Sequence, residues 1–152
     1  MTETAKPTTV HPHLAHSATT DLRPELDPTP LSVARYPAGW WPPMPPSGYL
    51  AFVVDHDEVT VVAPDAMFEA IEAPDAIEPG WRRITFAGPL PWEMVGFLAD
   101  VAERLAAARI PFTSMSGFST DHVLVRAAQA GVAVAVLKGE QAPDLRPDVT
   151  NP

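Results

Sequence analysis

Residues 81–137 change their hydrophobic period in an order that few folds accept. Residues 81–87 alternate along a strand, and Gly88-Pro89-Leu90-Pro91 then breaks the chain. Pro91 suits the first position of a helix, where its missing N–H goes unneeded. From there Leu90, Met94, Val95, Leu98, Val101, Ala102 and Leu105 recur at helical spacing. Glu93, Asp100, Glu103 and Arg104 fall mostly on the opposite side, which predicts an amphipathic helix ending near Arg109. Residues 111–118 and 122–126 read as two strands around a short turn. The apolar run 131–137 reads as a final strand after a short link of either helical or irregular form. The order β-α-β-β-(α)-β is that of a ferredoxin-like βαββαβ sandwich, in the α+β class.

The first half is poorer in signals. Residues 31–36, 49–54 and 59–63 have strand character, with Asp55-His56-Asp57-Glu58 as a hairpin tip. Between the first two strands, Pro42, Pro43, Pro45 and Pro46 remove donors and fix φ, so that stretch is neither a helix nor a central strand. One short helix is expected near residues 67–71. The pattern reads as a copy of the second half whose first helix is eroded by prolines. This divides the chain into a tail expected to be disordered (1–20), a degenerate unit (21–79), a complete unit (80–138) and a second tail (139–152).

Composition narrows the function. The 152 residues are 46% hydrophobic, which supplies a core. Ten Lys and Arg against 19 Asp and Glu leave a net charge of −9, which disfavours nucleic acid as a partner. Cysteine is absent, so no disulfide or thiolate metal site is expected. No apolar run reaches the ~20 residues of a membrane span, and the N-terminus lacks a signal-peptide core. The expectation is a cytoplasmic protein without membrane contact or cofactor.

The opening Gly80-Trp81-Arg82, the loop Gly88-Pro89-Leu90, Gly96 and Leu98 in the helix, and Ile110 at its end form one set of matching positions. Ser116, Phe118, Thr120, Asp121, Leu124 and Val125 in the closing hairpin complete it, with residues 57–62 as an upstream match. Together they resemble the ACT-domain proteins related to the CASTOR-type cytosolic arginine sensors, over roughly residues 31–137. The resemblance implies tandem ACT folds, with the first unit degenerate, and no catalytic residues. It implies a small amino-acid-like metabolite bound at an interface between ACT units, and a homodimer formed through the ACT sheets. Carried over residue by residue, it puts Gly117, Phe118, Ser119, Thr120 and Asp121 in a ligand pocket, with Ile110, Pro111 and Phe112 as the facing wall. Three positions depart from the pattern. Pro91 and Glu93 stand where the family has Asp and Ser, and Gly117 stands where it has Thr. Arginine specificity is therefore not carried over.

The chemistry of those residues fits in part. An α-ammonium needs an acceptor, which Asp121 offers, and an α-carboxylate needs donors such as the N–H groups of a loop or helix start. With roughly 10 heavy atoms at about −0.5 kcal/mol each, an amino acid binds at about −5 kcal/mol, in the sub-millimolar range. Against this stands Asp121 as a turn acid bonded to its own backbone. His11, His13 and His16 lie in the expected tail without carboxylate or thiol partners, and the cluster 55–58 lacks the spacing of a calcium loop. Trp40 and Trp41 read as caps over a core left open by the missing helix, or as part of a polyproline ligand. No Gly-x-Ser-x-Gly elbow or Cys nucleophile is present, so no catalytic residue is assigned. A second functional class is an ACT-fold interaction module that has lost its ligand.

Overall fold

The central strand of the sheet, β5 (Ala76–Phe86), is long enough to serve two groups of neighbours. The computed structural model describes residues 22–45, 47–86 and 88–141. Ahead of β5 come β1 (Pro24–Leu26), β2 (Leu31–Pro37), β3 (Ala51–Val54), β4 (Glu58–Pro64) and the single turn α1 (Asp65–Phe68). Behind it come α2 (Phe97–Ala107), β6 (Phe112–Ser116), β7 (Asp121–Arg126), a 3-10 turn (Ala127–Gln129) and α3 (Ala130–Leu137). All pairings are antiparallel, in the order β3-β4-β2-β5-β7-β6, with β1 also on β5.

Along one edge of β5, residues 76–81 pair with β2 and residues 84–86 with β1; along the other edge, residues 81–85 pair with β7. Pro79 is tolerated inside this strand because it sits at a bulge, where Leu31 pairs with Trp81 but Val33 pairs with Glu78. The strand thus crosses residues 79–80 without a break. Its neighbours fall into two sets of the same order, β3-β4-β2-β5 and β6-β7-β5-β1.

One face of the second set is covered by helices. Ile84, Phe86, Val123 and Val125 point into a core closed by Phe97, Val101 and Leu105 of α2 and by Ala130, Ala133, Val136 and Leu137 of α3. Each fully buried large apolar side chain there contributes about 1.5–3 kcal/mol. Residues 131–137 are therefore helical, and the expected final strand is corrected. A short apolar run suits either state, and its buried positions 130, 133 and 137 recur at helical spacing. The edge that strand would have filled is taken by β1, and Leu22, two residues ahead of it, is buried in the same core.

The first set has no long helix. Tyr36, Val59 and Val61 are covered by Trp40, Leu50, Met67, Phe68 and Ile71. Trp40 stacks on Tyr36 with ring centroids 3.6 Å apart, so it caps this core as expected. Trp41 does not; it stays 66% exposed, with only an edge contact to Phe52. The expected helix near residues 67–71 is the turn 65–68, displaced towards the N-terminus, and the buried Ser32 hydroxyl donates to Asp65 at 2.7 Å.

The opposite sheet face joins the two sets. Leu31, Val62 and Leu124 are buried there, with Tyr49, Trp81 and Met115 packed against them. Beside them Arg83 pairs with Asp27 and lies 4.2 Å from the centre of the Tyr49 ring. Tyr49 meets His122 edge-on, and Thr85 Oγ1 is 3.0 Å from His122 Nδ1. Burial, aided by the Arg83 charge, lowers the His122 pKa from its ordinary 6.5, although Asp121 opposes this. Burial alone would raise the Asp27 carboxyl, but Thr29 and Arg83 hold it below its usual range.

Two outcomes follow from this packing. Leu22→Ala should lower unfolding stability by about 2–4 kcal/mol in urea titration, because it opens a cavity in the core that β1 helps to close. Folded His122 binds its proton less readily than the unfolded chain does. Its contribution is therefore complete above pH about 6.5 and is lost as pH falls towards the lowered native value. His122→Gln should flatten that acid-side decline in the urea midpoint.

Candidate ligand pocket between the 88–96 loop and the 117–120 turn

The segment after β5 does not enter a helix at Pro91. Met94 N–H donates to the Pro91 carbonyl at 3.0 Å to close a single turn. Gly96 then adopts φ 90°, a left-handed conformation that glycine takes readily, and α2 begins at Phe97. The apolar spacing from Leu90 onward misled because Phe97, Val101 and Leu105 carry the buried face. Val95 is 93% exposed. Nothing lies within 4 Å of a Cβ at Gly96, so its role is the turn rather than a close approach.

The loop is docked onto the β6–β7 turn. Gly117 N–H donates to Thr120 O at 2.9 Å within that turn, and Leu90 N–H donates to Ser119 O at 2.8 Å across to it. The Thr120 hydroxyl donates to Phe86 O at 2.6 Å. A Cβ on Gly88 would lie 2.8 Å from Ser119 O, so this approach requires glycine. The Gly88–Pro89 peptide is cis.

Between loop and turn lies a cavity of about 450 Å³, with Leu90, Pro91, Trp92, Met94 and Phe97 on one side and residues 116–121 on the other. Gly117, Phe118, Ser119, Thr120 and Asp121 are thus brought together. Ile110, Pro111 and Phe112 are not. Ile110 is buried in the helix-covered core, Pro111 is an exposed link, and Phe112 pairs with Val125 at the far end of the hairpin. The facing wall is the 90–97 segment. The sequence periodicity, which predicts one continuous helix from Pro91, gives no sign that Trp92, Met94 and Phe97 line a pocket. The proline-flanked, Trp-bearing stretch Pro89-Leu90-Pro91-Trp92 was the available sign of a loop.

Asp121 is the one ionisable residue in the lining. In this turn the backbone is held by Gly117 and Thr120, and among the described residues no hydrogen bond or ion pair engages the Asp121 carboxylate. The opposite wall is apolar. Trp92 and Phe118 meet edge-on at the rim, with centroids 5.4 Å apart.

Elsewhere, His56 bridges Asp55 and Asp57 on an exposed hairpin tip, and no cluster fit to hold a metal occurs among the described residues. His11, His13 and His16 lie outside them. A second cavity, about 390 Å³, lies between Pro43-Met44-Pro45 and Met67 and Ile71, without an ionisable residue. No described helix is long and apolar enough to cross a membrane.

The match to known families falls on the segment that builds this pocket, residues 76–139. This segment is an ACT domain. The ACT domain begins with β5 and ends just past α3, and its fourth strand position is filled from outside the matched segment, by β1. About three quarters or more of the chain is also similar in fold to solved structures. A protein of Agobacterium tumefaciens superposes with a TM-score of 0.68 at 22% identity, over 80% of this chain and 90% of the other. A Vibrio cholerae protein of unknown function gives 0.59 at 20% identity, over 77% and 88%. Clostridium acetobutylicum aspartate kinase, an allosteric enzyme, gives 0.56 at 14% identity, over 73% of this chain but 32% of that larger one. No curated protein matches significantly.

Gly88→Ala tests the docking of the ACT-domain loop. The added methyl must push Ser119 away, so the melting temperature should fall by an amount equivalent to about 1–3 kcal/mol. Gly96→Asn, which keeps access to positive φ, should cost less.

Proposed function

We propose that this chain is a non-catalytic regulatory protein whose ACT domain binds a free amino acid between the 88–96 loop and the 117–120 turn. The observation that carries the reading is the Asp121 carboxylate, which has no hydrogen bond or ion pair among the described residues, in a cavity lined by no other ionisable group. Asp121 receives the ligand α-ammonium in a charge-assisted hydrogen bond. The α-carboxylate lies towards the start of α2, where the first N–H groups have no intrahelical acceptor. Pro91 offers no donor and Glu93 adds negative charge nearby, so both keep affinity modest. ACT domains commonly bind amino acids as regulatory modules, and the aspartate kinase neighbours agree with that use.

The repeated strand order on either side of β5 supports two ACT-type units, the first (residues 21–79) degenerate and the second (residues 80–138) borrowing β1 as its fourth strand. In the first, the proline-bearing stretch after β2 replaces a helix. The protein works in the cytoplasm, and copies associate through their sheets into a homodimer. Ligand biases the packing of loop against turn by no more than its difference in affinity for the two arrangements.

Thermal denaturation with each free amino acid at millimolar concentration tests this. At about fifty times Kd a bound ligand stabilises by about 2 kcal/mol, a rise of several degrees. Asp121→Asn should abolish the rise while leaving the ligand-free melting temperature unchanged. The exposed Trp92 and Phe118 favour a second reading, an interaction module without a ligand. That reading holds if no amino acid shifts the transition.

A further inference from the structure

We propose that the pocket selects amino acids with a bulky apolar side chain, of the leucine or phenylalanine type, and that Trp92 and Phe118 set this selectivity. The proposal rests on the amino-acid-binding reading above and specifies the ligand. Charge is the first observation. Asp121 is the only ionisable group lining the cavity, and it is claimed by the α-ammonium. A ligand with a second cation would bury it without a partner. A ligand with a side-chain carboxylate would meet no Lys, Arg or His in the lining, and would sit beside Asp121. Unpaired charges of either sign are disfavoured on desolvation.

The apolar wall is the second observation. Leu90, Met94 and Phe97 line the floor, and the Trp92 and Phe118 rings stand at the rim. Trp92 is 74% exposed and Phe118 83% exposed, so neither ring is spent on the core. They reach each other from separate segments, one before α2 and one in the β6–β7 turn. A side chain laid against this ring pair covers apolar surface that the free protein leaves in water, and gains contact with both rings. Among the hydroxyl-bearing residues of the lining, Thr120 already donates to Phe86 O, which leaves Ser116 and Ser119 against the larger apolar wall. At about 450 Å³ the cavity lies within the ordinary small-ligand range of roughly 300–1,000 Å³, with room for a branched or aromatic side chain.

Isothermal titration of the full chain with phenylalanine, leucine, glycine, arginine and glutamate tests the proposal. Phenylalanine or leucine should bind about ten-fold or more tightly than glycine, and arginine and glutamate more weakly still. Trp92→Ala and Phe118→Ala should each weaken phenylalanine by about ten-fold without changing the weak glycine affinity. Trp92→Phe should restore most of the loss, and circular dichroism should show each variant folded, since both rings lie outside the core. If arginine or glutamate binds tightest and Asp121→Asn abolishes that binding, the apolar selectivity is wrong and the amino-acid reading stands. If phenylalanine binds equally well to Trp92→Ala and Phe118→Ala, the selectivity assignment is overturned. If no amino acid binds, both fall.

Discussion

The hydrogen-bonded ladders of β5 hold the molecule together. One strand gives its first half to β2 and its second half to β1 and β7, so every other strand reaches the sheet through it directly or through one of these partners. Its alternation then sorts side chains. Ile84 and Phe86 enter the helix-covered core, whereas Trp81 and Arg83 enter the opposite face with Tyr49 and Leu124. A one-residue slip would exchange these sets and bring arginine under the helices. The bulge at Pro79 lies where the strand passes from one set of neighbours to the other.

The same strand fixes the pocket. Phe86 ends β5 and accepts the Thr120 hydroxyl, so the strand end and the hairpin turn are tied before the loop between them is considered. The loop is added by the Leu90–Ser119 bond and the close approach at Gly88. Two backbone segments are thus held a fixed distance apart, while the side chains between them remain largely unpartnered. That is the arrangement of a site shaped by scaffold and chosen by side chains.

Much of this was legible in the sequence because it was written in local periodicity. The period-2 runs of β2, β4 and β7 agree with the strands to within a residue at each end, whereas β5 begins five residues ahead of the alternating run 81–87. The turn between β6 and β7 follows from the two strand-like runs around it, and its Gly117–Asp121 assignment to a pocket from the family resemblance. What was not legible depended on pairing at a distance. Residues 131–137 suit strand or helix by composition, and the choice is made by β1 taking the edge of β5. The start of α2 was misplaced by six residues' worth of apolar spacing that Gly96 interrupts with a single backbone angle. Trp92, Met94 and Phe97 are thereby hidden from a sequence reading, while Ile110, Pro111 and Phe112, which the family resemblance names as the facing wall, lie away from the pocket. Proline-rich residues 42–45 announce a missing helix, and of the two tryptophans beside them only Trp40 joins Leu50, Met67, Phe68 and Ile71 in covering the core.

The place of β1 also sets the order in which the protein can be completed during synthesis. The ribosome releases Leu22 and Leu26 early, yet Leu26 pairs with Ile84 and Leu22 packs in a core with Val136 and Leu137. The nascent chain must therefore keep its first strand waiting while nearly all later elements emerge. β1 therefore finds its partners only after β5 and α3 have emerged, and the sheet of the second half draws on residues from the first.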